Sequence, residues 1–350
     1  VRFRPPVLQV TEMDRYFPVI KLEGGPKERG RTHGLVLRDR IHTTIEFYRG
    51  QFPQPEGRIM EIASQFRQAT RDMGGDLYLE IEALAAAAQV DPRWIYALNG
   101  RTELLSLNVM ECTSLAFRSA SLIGQNWDWD RELEELAVIL DIRKEDGHRL
   151  VTMTEPGMVG KIGMNNRGLG VCLNFMDILG YQPYGIPLHV LLRTIMDSKT
   201  LNEALSRIEP YLPGKVGNIM IMDNAGGLLD IELAGDAYHS LSVDDRFVHT
   251  NHFLIGVEND PQSFPNTVGR YTRAKELVAS LDNPSIESMK RILKDRGDPQ
   301  YPICRKGFSH TLLSDDTSIT VCTIIMDLKN LQIHITRGNP FDNPFTVFPL

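Results

Sequence analysis

Glu111-Cys112-Thr113-Ser114-Leu115-Ala116-Phe117, followed after a polar break at 118–121 by Gly124-Gln125-Asn126-Trp127-Asp128, is the stretch on which this 350-residue chain turns. A cysteine heads a short apolar run, the chain reverses, and a second run returns an aspartate towards it. That pattern predicts a β-hairpin. A two-residue turn sets Cys112 opposite Trp127, and a three-residue turn sets it opposite Asp128. Either way thiol and carboxylate end within ~5–7 Å across adjacent strands. A buried internal cysteine is ordinarily a small packing group, with a thiol pKa of about 8.5 and no base of its own. An amino-terminal cysteine differs, because its α-amine titrates at about 7.7–8.0 and takes the thiol proton. Cutting the chain between Glu111 and Cys112 would supply nucleophile and base in one residue.

Upstream of the hairpin the texture is helical. A strand is predicted over 17–22, then helices over 28–52, 58–73, 77–90 and from Pro92 to about Leu107, the last opened by Asp91-Pro92. The first 110 residues show no obvious catalytic group. Downstream the runs shorten to strands at 112–118, 121–128, 134–143, 149–155, 158–164 and 168–175. Helices near 186–197 and 200–209 follow, then a hairpin at 218–233 and strands at 237–241 and 245–249. Helices near 266–281 and 285–296 precede strands at 319–327, 330–336 and 345–349. Hairpin-ordered strands with helices in pairs predict two stacked sheets with helices outside them, an α+β fold. With no repeat and no linker-like stretch, residues 1–350 read as one domain.

Composition is that of a globular protein, 42% apolar and 24% charged. The net charge of −7 excludes a basic nucleic-acid surface or an anionic-membrane surface. No apolar run reaches the ~18 residues a span needs, and no apolar segment follows Arg2 and Arg4 as a secretory signal requires. The four cysteines, at 112, 172, 304 and 322, have no CxxC spacing, which points to a reducing, cytoplasmic setting.

Cys112-Thr113-Ser114 with Gly124-Gln125-Asn126-Trp127-Asp128 resembles the maturation site of the penicillin acyltransferase family, in the N-terminal-nucleophile hydrolase superfamily. Further matching stretches lie in the family's order: Arg29-Gly30-Arg31-Thr32-His33-Gly34, Leu98-Asn99-Gly100-Arg101-Thr102-Glu103, Gly185-Ile186-Pro187-Leu188-His189, His249-Thr250-Asn251-His252 and Ile303-Cys304-Arg305. The resemblance spans about residues 25–335. It implies a four-layer αββα sandwich of two mainly antiparallel sheets. It also implies self-cleavage at Glu111–Cys112, giving a helical chain 1–111 and a catalytic chain 112–350 that stay together. Cys112 is then the nucleophile, Asp128 orients the new amine, Asn251 donates to the oxyanion and Asn174 matches a second oxyanion position. Ser114 stands where a threonine assists cleavage in relatives. Arg305 is the expected anchor for a substrate carboxylate, since a guanidinium fork suits that group. Glu111 replaces a glycine of the fungal members, and Ser314-Asp315-Asp316-Thr317-Ser318 lacks an arginine those members carry.

The implied activity is hydrolysis of an N-acyl amide through a thioester acyl-enzyme, or acyl transfer to an amine. It needs no cofactor and no metal, with a coenzyme A thioester as the optional co-substrate. Two alternatives remain open on the residues alone. One is an uncleaved, non-catalytic relative that binds a small acid or peptide through Arg305. The other is a papain-like pairing of Cys112 with His249 or His252. The spacing His249-x-x-His252 also fits a metal pair, but no third ligand is evident nearby.

Overall fold

The computed structural model describes residues 16–105, 111–176, 178, 180–257, 265–306 and 318–350. Strand β1 (Val19–Glu23) leads into α1 (Pro26–Val36), α2 (Arg38–Gln51), α3 (Glu56–Met73), α4 (Asp76–Ala88), α5 (Pro92–Asn99) and the single turn α6 (Arg101–Leu104). The helix expected over 28–52 is broken at Leu37. Gly30 and Gly34 press α1 onto α4 so closely that a Cβ would stand 2.1 Å from the Glu80 carbonyl oxygen and 2.3 Å from that of Leu84. This clamp fixes α1, and α2 leaves it on a new axis at the buried Leu37. Asp91 accepts from the Arg93 N–H and opens α5 as expected. The helix predicted to reach Leu107 instead stops at Asn99, whose side chain donates to Gly157 O and accepts from Val159 N. Positions 106–107 of that expectation lie outside the described residues.

The rest of the chain forms β2 (Glu111–Phe117), β3 (Leu122–Asp130), α7 (Glu132–Leu136), β4 (Val138–Arg143), β5 (Arg149–Thr154), β6 (Ile162–Asn165), β7 (Leu169–Asn174), α8 (Leu188–Met196) and α9 (Leu201–Ile208). Then come β8 (Lys215–Asp223), β9 (Leu228–Gly235), β10 (Ala237–Leu241), β11 (Arg246–His249), α10 (Pro265–Ala279), α11 (Ile286–Leu293), β12 (Ser318–Asp327), β13 (Gln332–Ile335) and β14 (Thr346–Pro349). Two strands start four residues later than the sequence suggests. The run at 134–143 begins as the short helix α7, which buries Leu133. The run at 158–164 becomes strand only at Ile162, because Gly157, at φ +94°, turns the chain first.

One sheet has the order β1-β4-β5-β6-β7-β8-β9-β10, the other β11-β2-β3-β12-β13-β14. Every pairing is antiparallel except β1 with β4. The sheets face each other through Gln125 of β3, whose side chain donates to Leu173 O (3.1 Å) and accepts from Leu173 N (2.8 Å) on β7. Helices α8 and α9 pack on the eight-stranded sheet, and α10 and α11 on the six-stranded sheet. The architecture is therefore the expected four-layer αββα sandwich. No helix among the described residues is long and apolar enough to cross a membrane.

The helical segment is tied to the sandwich by buried charge. Glu80 of α4 accepts from Arg29 of α1 (2.9 Å) and from Arg193 of α8 (2.9 Å). Burial opposes ionisation of Glu80, but Arg193 and Arg29 outweigh it and hold the carboxyl below its usual range. Glu80→Ala would leave two buried guanidinium groups without their shared anion. A loss of about 3–5 kcal/mol in unfolding free energy is expected, readable by urea denaturation.

His33 gives this region a pH dependence. It is fully buried and accepts from Gly157 N at 3.2 Å, and burial pushes its pKa down to about 4. The unfolded chain takes up a proton near pH 6.5 that the folded chain refuses. Stability from this group is therefore complete above pH 6.5 and is lost as pH falls towards 4, at most about 3 kcal/mol. Asp230, raised to about 6 by burial, acts in the opposite sense, so the comparison must isolate His33. Unfolding free energies measured from pH 7 to 4 should fall less steeply in His33→Gln than in the parent chain.

Candidate active site

In the β2–β3 hairpin Cys112 pairs with Trp127 and Phe117 with Leu122. The Ser121 N–H donates to Arg118 O at 3.1 Å, closing the two-residue form of the turn. Cross-strand partners share a face. Cys112, Ser114, Gln125 and Trp127 thus point inward to the other sheet, while Thr113, Asn126 and Asp128 point outward to the helices. The hydrogen bonds agree. Ser114 Oγ donates to Asn174 Oδ1 of β7 at 2.7 Å, whereas Asn126 Nδ2 donates to Leu293 O and Ile303 O, each at 2.9 Å. The thiol and the Asp128 carboxylate share one end of the hairpin but stand on opposite faces. Asp128 acts on the sulfur in two opposed ways, its charge raising the thiol pKa and its backbone N–H lowering it.

Asp128 is completely buried and accepts from Thr320 Oγ1 at 2.6 Å. The same Thr320 hydroxyl accepts from Arg305 N at 2.9 Å, and Thr320 N donates to Arg305 O at 3.1 Å. β12 thereby joins Asp128 to the backbone of Arg305. Thr320 was not singled out by the sequence. Glu111 opens β2 opposite Asp128, and positions 314–317 lie outside the described residues.

Asn251 arrives because β11 pairs antiparallel with β2, His249 against Ser114. Two residues further on, the chain is level with Cys112. Asn251 Oδ1 accepts from the Cys112 backbone N–H at 2.7 Å, and Asn251 Nδ2 donates to Phe175 O at 2.8 Å. Arg270 of α10 braces the group. It donates to Asn251 Oδ1 (2.9 Å), Cys112 O (2.8 Å) and Thr113 Oγ1 (2.9 Å). Asn174, besides Ser114, reaches His249 O at 3.4 Å.

Behind Trp127 lies a buried ionic cluster. Glu155 Oε1 accepts from Arg101 Nη2 at 3.0 Å and from Lys161 Nζ at 2.9 Å, and its Oε2 accepts from the Tyr48 hydroxyl. Lys161 Nζ stands 3.0 Å from the centre of the Trp127 ring, and the Arg101 guanidinium lies over Trp129. Burial drives the Lys161 pKa down to about 7. Burial works the other way on Glu155, but Arg101 and Lys161 outweigh it and bring that carboxyl to about 2. Burial, then the Asp128 charge, push the Cys112 thiol up to about 11, with Lys161 and Arg270 pulling against them.

Arg101 lies in the segment read as showing no obvious catalytic group, and it is coupled electrostatically to Cys112 without having been singled out. Two signals were present in the sequence. Arg270 stands on the buried stripe Thr267-Arg270-Ala274-Val278 of α10, and Lys161 interrupts the apolar run at 158–164. A charge on a buried face needs a partner.

The histidines are occupied elsewhere. His249 Nε2 lies 3.0 Å from Glu232 Oε1 and its Nδ1 2.9 Å from Thr250 O. Both ring nitrogens face acceptors, which favours the imidazolium. Burial opposes that charge, but Asp230 and Glu232 prevail and the pKa rises. His252 Nδ1 sits against the Thr250 and Thr267 hydroxyls. Neither ring reaches Cys112 by a described hydrogen bond, and the described residues contain no group of three metal-binding side chains.

Residues 117–342 match the family model described as "Acyl-coenzyme A:6-aminopenicillanic acid acyl-transferase". The match begins at Phe117, the last residue of β2, and so starts after Cys112. A curated relative from Emericella nidulans, "Acyl-coenzyme A:6-aminopenicillanic-acid-acyltransferase 40 kDa form", is 26% identical over 347 residues, covering 94% of each chain. Among solved structures, a mutant conjugated bile acid hydrolase from Clostridium perfringens aligns with a TM-score of 0.45 at 13% identity, covering 69% of this chain and 97% of that one. A Caenorhabditis elegans N-acylethanolamine-hydrolyzing acid amidase ortholog aligns at 0.41 and 16% identity, covering 62% and 93%. These structural likenesses are too loose to carry any assignment of chemistry.

Proposed function

Because the chain belongs to the acyl-coenzyme A:6-aminopenicillanic acid acyl-transferase family, we propose that it is a self-processing cysteine amidohydrolase or acyltransferase with Cys112 as its nucleophile. The observation that carries the reading is the 2.7 Å bond from the Cys112 backbone nitrogen to Asn251 Oδ1. That nitrogen becomes the free amine once the Glu111–Cys112 bond is cut, and it already has its acceptor.

In the uncut chain the thiol is nearly inert, because a pKa of about 11 leaves only ~10⁻⁴ of it ionised at pH 7. Self-cleavage starts when the sulfur adds to the Glu111 carbonyl carbon and the Cys112 nitrogen leaves as an amine, an N-to-S acyl shift. Water then cleaves the thioester and frees the sulfur. The new amine, near neutrality in pKa, takes the thiol proton. The thiolate attacks the carbonyl of an N-acyl compound or of an acyl-coenzyme A thioester, expelling amine or thiol and leaving a thioester acyl-enzyme. Water resolves it in hydrolysis, an acceptor amine in transfer. Asp128, held by Thr320, balances the protonated amine, and Ser114 with Asn174 fixes the strand that carries the sulfur. Arg305 is assigned to a carboxylate on the substrate.

The two pieces of roughly 12 and 27 kDa stay associated in this reading. Buried bonds that cross the cut, Arg101 to Glu155 and Leu188 N to Glu103 (2.6 Å), support that. The four cysteines are free and buried, which supports a reducing, cytoplasmic setting. The test is to read the amino termini of purified active protein by mass spectrometry. A new terminus at Cys112 is expected. Full activity with residues 111 and 112 still joined would overturn the reading and favour an uncut alternative.

A further inference from the structure

We propose that Arg101, Glu155 and Lys161 form a built-in counter-charge for Cys112, with Arg101 and Lys161 as positioning residues that favour the ionised sulfur. Glu155 Oε1 takes both cations, Arg101 at 3.0 Å and Lys161 at 2.9 Å, and Tyr48 takes the other oxygen. All three charged side chains are 2% exposed or less. A structural ion pair needs one cation per carboxylate, and burying a second is costly unless an anion answers it. The Cys112 thiolate is one anion that both cations feel, and Arg101 also acts on the Glu103 carboxylate.

The geometry places the thiolate there. Lys161 Nζ sits on the face of Trp127, and Trp127 is the cross-strand partner of Cys112 on the same inward face. Lys161 acts electrostatically on that sulfur, as Arg270 does, and the sulfur acts on both Arg101 and Lys161. The other groups around the cluster answer the second cation only in part, since burial raises Glu103 to about 7 and Lys215 acts on that carboxyl more strongly than Arg101 does. Tyr48 and Cys322 are pushed up in pKa, first by burial, and stay neutral. His189 is driven by burial to about 3 and is neutral as well. Asp128 faces outward on β3 and is bonded to Thr320, and Asp130 is felt at Tyr48. Thiol and Lys161 ammonium are therefore coupled, each ion supporting the other. Arg101 lies before the cleavage point, so the field at the sulfur depends on the N-terminal piece remaining bound.

This inference rests on Cys112 being the nucleophile, but it is tested on the sulfur itself. The full-length chain is labelled with [3-¹³C]cysteine, the Cys112 signal is identified by its loss in Cys112→Ala, and its shift is followed against pH. Lys161→Met should move the Cys112 midpoint up by about one unit or more. Glu155→Gln, which leaves the permanently charged Arg101 uncompensated, should move it down. Loosened packing alone would move both variants the same way, so same-direction shifts, or two unmoved midpoints, overturn the proposal. Should Lys161→Met fail to fold, Glu155→Gln decides alone, a downward shift supporting and any other result overturning. A protein found uncut or inactive would sink the functional assignment while leaving this titration readable.

Discussion

Cys112→Ala is expected to yield one band at 39.6 kDa where the parent chain yields two, and to remove turnover. Both effects would follow from one atom, since the proposed function makes the sulfur the attacking group in self-cleavage and in acyl transfer. Loss of the nucleophile in a serine protease, which also works through an acyl-enzyme, lowers kcat by on the order of 10⁶-fold. Cys112→Ser separates the two roles. A hydroxyl is a poorer nucleophile and its acyl-enzyme is an ordinary ester, so cutting should slow while the cut product keeps only residual turnover. The fold should survive both changes. Cys112 is small, and the strand register rests on the ladder and on the Ser114–Asn174 and Gln125–Leu173 bonds, not on the thiol. Matching circular dichroism and melting of parent and variant would establish this. Two bands from Cys112→Ala would mean that another group or a contaminating protease makes the cut.

The layers were legible in the sequence because each signal was local. Strands of four to ten residues closed by turn residues, and helices opened by Asp91-Pro92 or Ser285, declare themselves within a few positions. The hairpin was legible to within one residue, and that residue mattered. Turn length decides whether the carboxylate stands beside the sulfur or behind the strand, and the run Arg118-Ser119-Ala120-Ser121 contains no Asn-Gly or Gly-Gly pair to fix it. The break at Leu37 was not legible, because it comes from two glycines meeting a helix more than forty residues away. The same holds for the charges around Cys112. Arg101, Glu155 and Lys161 lie on a helical turn and on either side of the Gly157 turn, and only the packing of the helical segment against the sandwich brings them together. Arg270 shows the intermediate case, a charge on a buried stripe that flagged a partner without naming Cys112 O or Asn251.

Asn251→Ala should lower kcat by about 10²–10³-fold, the usual consequence of losing one oxyanion donor. The residue serves through two different atoms, and this makes the prediction divisible. Oδ1 holds the Cys112 nitrogen, together with Arg270, and matters for placing the amine. Nδ2 has one hydrogen on Phe175 O, and its second is the one assigned to the oxyanion. Asn251→Asp keeps an acceptor for the Cys112 nitrogen and for Arg270 but removes the amide donor and sets a carboxylate beside the developing negative charge. The expected result is a chain that still cuts itself, with kcat reduced at least as far as in the alanine variant and KM changed little, since ground-state binding does not use the oxyanion contact. Alanine, by contrast, should also slow the cut, because the scissile nitrogen loses its acceptor. Unimpaired kcat in a fully cut Asn251→Asp protein would take the oxyanion role away from Asn251 and leave it as the residue that holds the amine.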